Sequence, residues 1–180
     1  MKTIASALLA GAALFSAQAA QAQQACVAPD DLQDGLTYAM PMIYEAAMST
    51  CGGQYSATGF MKTEGAAFAD GFRALQDDSW PGALRLIKAF AAKDSDDGEA
   101  DPIAAIIDSV PADALRPFVD AMVLQMVAGE IKPDSCDKIE RGVELIAPLP
   151  PENVTGLLTF IAEQTKIDNP PLCGVEVAAE

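Results

Sequence analysis

Apolar side chains recur every three or four residues along most of the chain, which is the pattern of helices that bury one face. Seven such stripes follow one another, at 32–43, 67–75, 84–91, 103–107, 118–126, 139–146 and 154–161. The last stripe holds Val154, Leu157, Leu158 and Ile161. No segment sustains the alternation of period two that a half-buried strand requires. The sequence therefore predicts an all-α fold, a compact bundle of about six to seven short helices.

Prolines and acidic residues predict where these helices begin and end. The first helix begins near Asp30 or Asp31. Pro41 is expected to kink or split it, because proline lacks the backbone N–H and its ring clashes with the preceding turn. The acidic pair at 77–78 predicts the end of the second helix. Ser79 then caps the third helix, with Pro81 in its first turn.

The first 22 residues have the three regions of a secretory signal peptide. Lys2 precedes an apolar run from residue 4 to residue 15, and Ala20-Gln21-Ala22 provides the small residues of a cleavage site. The run has 12 residues, whereas a transmembrane helix needs about 20. We therefore predict cleavage after Ala22 and a periplasmic or secreted mature protein with no membrane anchor.

The mature chain, residues 23–180, is expected to form a single helical domain. Its most acidic stretch, 93–101, lies between two helical stripes and is interpreted as a loop. The whole chain has a net charge of −15, and removal of Lys2 with the leader makes it −16. Nucleic acids and anionic lipids bind proteins through Lys and Arg, so this charge argues against both as partners. It favours a partner with a basic surface.

Four cysteines remain after cleavage, Cys26, Cys51, Cys136 and Cys173, and an even number in an oxidising compartment predicts two disulfides. A tight turn at 148–152 predicts an antiparallel hairpin that brings Cys173 back to Cys136. The preferred pairing is therefore Cys136 with Cys173, which leaves Cys26 to pair with Cys51. This pairing requires a break in the first helix. A continuous first helix would instead pair Cys51 with Cys136 and Cys26 with Cys173.

The acidic loop supplies the only candidate metal ligands, Asp94, Asp96, Asp97, Glu99 and Asp101. An EF-hand calcium loop has glycine at its sixth position and a bidentate glutamate at its twelfth. Counted from Asp94, Gly98 falls at position five and Ala105 at position twelve. The spacing therefore favours a solvated loop over a calcium site.

Candidate catalytic patterns are few. The chain contains no histidine, which excludes Ser-His-Asp and Cys-His sites and the common zinc motifs. Ser135-Cys-Asp-Lys138 matches the S-x-x-K pattern of penicillin-recognising enzymes, but nothing like S-D-N or K-T-G follows it, so Ser135 is interpreted as a helix cap. Scattered acids remain as candidates for carboxylate chemistry, at Glu64, Asp70, Glu140 and Glu144.

Methionines also cluster, at Met40, Met42, Met48 and Met61, and are interpreted as core filler in place of a copper site. Together these patterns favour a non-enzymatic, exported helical protein without a cofactor, which binds another macromolecule with a basic surface. The alternative is a carrier of a small apolar ligand between helices, lined by Met40, Met48, Phe68, Phe72, Met122 and Met126. An enzyme that uses carboxylates alone is the third hypothesis.

Overall fold

The computed structural model describes residues 26–94, 107, 109–165 and 170–174, and this part of the chain is all-α, as the sequence predicts. Its helices are α1 (Pro29–Cys51), α2 (Phe60–Thr63), α3 (Gly65–Arg73), α4 (Gln76–Asp94), α5 (Ala112–Glu130), α6 (Cys136–Ile146) and α7 (Pro151–Gln164), with a 3-10 turn at Pro133–Ser135. The predicted signal peptide at 1–22, most of the acidic loop at 93–101 and most of the stripe at 103–107 lie outside the described residues.

Helix α1 is the central element, and helices α3, α4, α5 and α7 all pack against it. Its 23 residues span about 34 Å at the usual rise per residue. Pro29 stands in its first turn, where a missing N–H costs nothing, and Asp30 and Asp31 follow it. Their carboxylates interact favourably with the positive end of the helix dipole.

The predicted split of the first helix at Pro41 is wrong, because α1 runs without interruption from Pro29 to Cys51; a kink at Pro41 stays a prediction. A proline inside a helix costs about 3 kcal/mol. Pro41 is buried among the helices that surround α1, as are its neighbours Met40 and Met42. Packing on several sides therefore offsets the local cost of a proline inside the helix. Sequence spacing alone does not report this packing.

The predicted boundary between the second and third helices is also wrong. Helix α4 begins at Gln76, so Asp77 and Asp78 lie in its first turn rather than in an exit loop. There the helix dipole favours their negative charge. The Ser79 hydroxyl donates a hydrogen bond to the Leu75 carbonyl oxygen at 2.6 Å instead of capping a helix.

Helices α1 and α4 approach each other closely at two glycines. A Cβ atom on Gly82 would lie 2.5 Å from the Cβ of Asp34, and one on Gly35 would overlap the Cδ2 atom of Leu86. Any larger residue at Gly82 would have to push the α1 backbone away. The absence of a side chain is therefore what allows the two helices to pack at this distance.

Three apolar clusters form the described core. The first joins α1, α4 and α5 and contains Tyr38, Met42, Trp80, Ala83, Ala91, Ile107, Leu115 and Val119. The second surrounds a disulfide at the end of α1 and contains Ala47, Cys51, Tyr55, Met61 and Cys136. The third lies under α7 and contains Met40, Phe72 and Val154. Helix α1 contributes to all three clusters.

Two disulfides form, as predicted, but the preferred pairing is wrong. Cys26 is bonded to Cys173, and Cys51 is bonded to Cys136. This is the pairing expected for a continuous first helix. Helices α6 and α7 do not pack along each other, because α7 packs against α1. The chain beyond α7 therefore returns to the start of α1, where the Val27 N–H donates to the Pro171 carbonyl oxygen at 2.9 Å.

The two disulfides differ in accessibility, which predicts the order of their reduction. Cys26 is exposed and Cys173 half-buried, whereas Cys51 is 0% and Cys136 1% exposed. Thiol–disulfide exchange needs access to a sulfur atom. Mild dithiothreitol treatment of the folded protein should therefore reduce Cys26–Cys173 first, as measured by alkylation and peptide mapping over time. Reduction of Cys51–Cys136 at the same rate or earlier would contradict this order.

Candidate interaction surface

Most of the metal-ligand candidates predicted from the sequence lie outside the residues that the structure describes. Helix α4 ends at Asp94, and Asp96, Asp97, Glu99 and Asp101 lie outside the described residues. Among the residues that the structure describes, no group of three or more His, Cys, Asp or Glu side chains could hold a metal ion.

The methionines are separated by the fold. Met40 lies in the cluster under α7 and Met42 in the cluster between α1, α4 and α5. Met48 and Met61 belong to the cluster around the Cys51–Cys136 disulfide. Four thioethers in three clusters form no common copper site.

The six residues proposed to line a ligand cavity are also dispersed. Met40 and Phe72 pack under α7 together with Phe68, whose ring centroid lies 5.1 Å from that of Phe72. Met48 belongs to the disulfide cluster, and Met126 is 61% exposed. These residues therefore do not share one cavity.

Most of the candidate catalytic groups are engaged in interactions that are separate from one another. The Ser135 hydroxyl donates to the Lys132 carbonyl oxygen at 2.7 Å, and Ser135 stands at the N-cap position of α6 without a side-chain capping bond.

Asp70 forms an ion pair with Arg73, and Glu144 with Arg141. The Glu140 carboxylate accepts a hydrogen bond from the Met61 backbone N–H at 3.0 Å, and the Glu64 side chain is exposed. The structure does not pair these four carboxylates.

One polar constellation lies between α1, α4 and α5, with Tyr38 and Trp80 buried, Arg116 and Asp120 half-buried, and Asp77 exposed. The Tyr38 hydroxyl donates to an Asp120 carboxylate oxygen at 2.8 Å, and its ring lies 4.9 Å from that of Trp80. The Arg116 guanidinium stands 5.2 Å from the Trp80 ring and pairs with Asp77. Burial, and then the hydrogen bond to Asp120, raise the pKa of Tyr38. Tyr38 therefore stays protonated near neutral pH and links α1 to α5.

The inner face of α7 contacts α1 partly through hydroxyl groups. Thr155 is fully buried, and its hydroxyl oxygen lies 3.2 Å from that of Thr37. The Gln33 side-chain amide donates to the Glu152 carbonyl oxygen at 3.4 Å. Thr159 is 5% exposed on the same side of the helix. Two threonines thus occupy positions where an amphipathic helix usually buries leucine or isoleucine.

The outer face of α7 carries the large apolar side chains instead. Leu157, Phe160 and Ile161 are 45%, 56% and 47% exposed, and their spacing of three and four residues places them on one face of the helix. We call these three residues the α7 outer face. Leu145 and Leu149, just before α7, are exposed as well.

This apolar face is concentrated in one part of the chain. Eight large apolar side chains of the described residues are exposed, and five of them fall within residues 145–161. The other three, Phe90, Phe118 and Met126, are spread over α4 and α5. Isolated exposed apolar residues are ordinary, whereas a contiguous group marks an interaction surface.

The charged residues of α7 itself are both acids. Helix α7 contains Glu152 and Glu163 but no Lys or Arg, whereas Glu144 before it pairs with Arg141 and Lys166 follows it in the sequence. The four arginines of the chain all form ion pairs with acids, namely Arg73 with Glu45 and Asp70, Arg85 with Asp31, Arg116 with Asp77, and Arg141 with Glu144. The positive charge of the arginines is therefore balanced locally, and the protein's excess of acids remains.

The sequence analysis missed this face because it assigned all of α7 to one apolar stripe. Val154 is buried and Leu158 half-buried, but Leu157 and Ile161 of the same predicted stripe are exposed. A signal was present in the sequence. The run Leu157-Leu158-Thr159-Phe160-Ile161 is too apolar for one side of a helix, so a second apolar face had to point elsewhere.

No protein-family model, curated protein or solved structure matches the chain. Within the part of the chain that the structure describes, no helix combines the length and hydropathy needed to cross a membrane.

Proposed function

We propose that this protein is exported and, without catalysing a reaction, binds another macromolecule that has a basic surface. The observation that carries the proposal is the uncompensated acidic charge. The chain has 26 acidic and 11 basic residues, and each of its arginines already pairs with an acid. Such a surface attracts a cationic partner over long range and repels anionic ones.

The proposed location is the periplasm or the exterior, after cleavage behind Ala22. The charged start, the apolar run and the small residues of the leader support this proposal. The two disulfides are compatible with an oxidising compartment. They also hold the scaffold in a fixed shape, which lowers the entropy that binding has to offset.

The proposal predicts that partner binding depends on salt. The mature protein is immobilised, exposed at low ionic strength to the exported proteins of its producing cell, and eluted with steps of sodium chloride. We expect the retained partner to be basic and its Kd to rise about tenfold or more between low and high salt, because screening weakens attraction between exposed charges. If every retained protein is acidic, or no Kd changes with salt, the proposal is wrong.

A further inference from the structure

The fold of α7 does not require its outer face to be apolar. The helix packs on α1 through its inner side, where Val154 joins Met40 and Phe72 in the core and Thr155 lies against Thr37. Leu157, Phe160 and Ile161 each leave about half of their surface in water. That exposure leaves apolar surface in water whose burial would be favourable. A second surface that covers this face would provide that burial.

The charge of the protein decides what kind of surface can cover the α7 outer face. The chain has a net charge of −15, and α7 carries Glu152 and Glu163 but no Lys or Arg, so an occupant that brings Lys or Arg beside its apolar residues meets complementary charge. A second copy of this chain would place the same acidic helix against itself, because symmetric dimers pair identical patches. An anionic bilayer would meet the same repulsion.

We propose that the α7 outer face is the docking surface for a basic amphipathic helix of the partner protein. The spacing of Leu157, Phe160 and Ile161 forms a ridge of the kind that packs against the apolar stripe of another helix. Glu152 and Glu163, on the same helix, are the acids available to its cationic residues. This inference rests on the proposed function and names the surface and the partner's chemistry.

The test uses a synthetic helical peptide of leucine and lysine as the probe and its leucine–glutamate counterpart as the charge control. The oxidised mature protein is compared with two double variants, Leu157→Gln/Phe160→Gln on α7 and Phe118→Gln/Met126→Gln on α5. The second is a matched control, because Phe118 and Met126 are 51% and 61% exposed. All four positions are exposed, so circular dichroism and the melting temperature should show that both variants fold.

We expect the leucine–lysine peptide to bind the wild type and the leucine–glutamate peptide not to bind. The Kd of the leucine–lysine peptide should rise about tenfold or more in the α7 variant, because both substituted apolar side chains lie in the docking surface. The α5 variant should stay within about twofold of the wild type. A further variant, Glu152→Gln/Glu163→Gln, should weaken binding several-fold at low salt and little at high salt.

Other results overturn the inference in distinguishable ways. If both double variants bind the lysine peptide as tightly as the wild type, the acidic surface binds cations but α7 does not dock them, and the proposed function stands. If the lysine peptide does not bind at all, the docking surface is wrong, while salt-dependent capture of a basic protein still tests the proposed function. Concentration-dependent dimers in sedimentation that the α7 variant abolishes would assign the face to a second copy. Binding to anionic vesicles that the variant abolishes would assign it to lipid.

Discussion

Replacing Cys51 and Cys136 together by alanine should lower the free energy of unfolding by about 4.5 kcal/mol. The bond joins residues 85 positions apart, and in the chain-entropy model a loop of this size stabilises the folded state by roughly that amount. Both cysteines are buried in the cluster with Tyr55 and Met61, so their removal also disturbs packing. Urea unfolding followed by circular dichroism measures the change.

The matched control is the Cys26→Ala/Cys173→Ala variant. Its disulfide closes a longer loop, but Cys26 is exposed and the bond ties down only short terminal segments. Without the bond these segments fray in the folded state. The folded state then regains some conformational entropy, which offsets part of the loss of stability. We expect a smaller loss of stability than for the buried pair. A larger loss would contradict the structural role assigned to the two bonds.

Truncation of Phe72 to alanine should cost about 3–5 kcal/mol, as for other fully buried phenylalanines. Phe72 is 0% exposed and packs with Met40 and Val154 where α3 and α7 meet α1. Thermal and urea unfolding give the measurement.

The comparison for this prediction is Phe118→Ala. Phe118 is 51% exposed on α5, and substitutions at such surface positions usually change stability by no more than about 0.5 kcal/mol. Equal losses for the two variants would mean that the cluster under α7 does not stabilise the fold.

Helical periodicity was sufficient to predict the fold class but not the details that depend on packing. The first stripe predicted α1 to within one or two residues of its observed start at Pro29. The prediction that α1 is split at Pro41 was wrong. It relied on a local rule for proline, and that rule takes no account of the burial that four surrounding helices provide. The error carried over to the disulfides, since the preferred pairing depended on a break in α1.

The position of α7 shows a second limit of sequence patterns. The turn before Pro151 correctly separated α6 from α7, but sequence adjacency suggested that the two helices pair. Helix α7 instead packs beside Gln33 and Thr37 in the first half of α1. Contacts between distant residues hold α7 there, namely the Thr37–Thr155 hydrogen bond and the packing of Val154 with Met40 and Phe72, and no local pattern reports them.

The α7 outer face could not be located from the sequence for the same reason. Helix α7 has apolar residues on more than one side, and its threonines are as compatible with the surface as with the interior. The contact of Thr155 with Thr37 and the packing of Val154 with Met40 show which side faces α1. Once that side is known, Leu157, Phe160 and Ile161 are left outward.

The central claim is that the α7 outer face contacts a basic partner in the cell, and photo-crosslinking tests it most directly. A benzoylphenylalanine replaces Phe160 in one strain and Phe118 in another, since both native rings are exposed to a similar extent. After irradiation of intact cells we predict an adduct between the Phe160 position and a basic protein, and at most a trace at the Phe118 position. An adduct at the Phe118 position alone, or one at the Phe160 position with a second copy of this chain, would contradict the account.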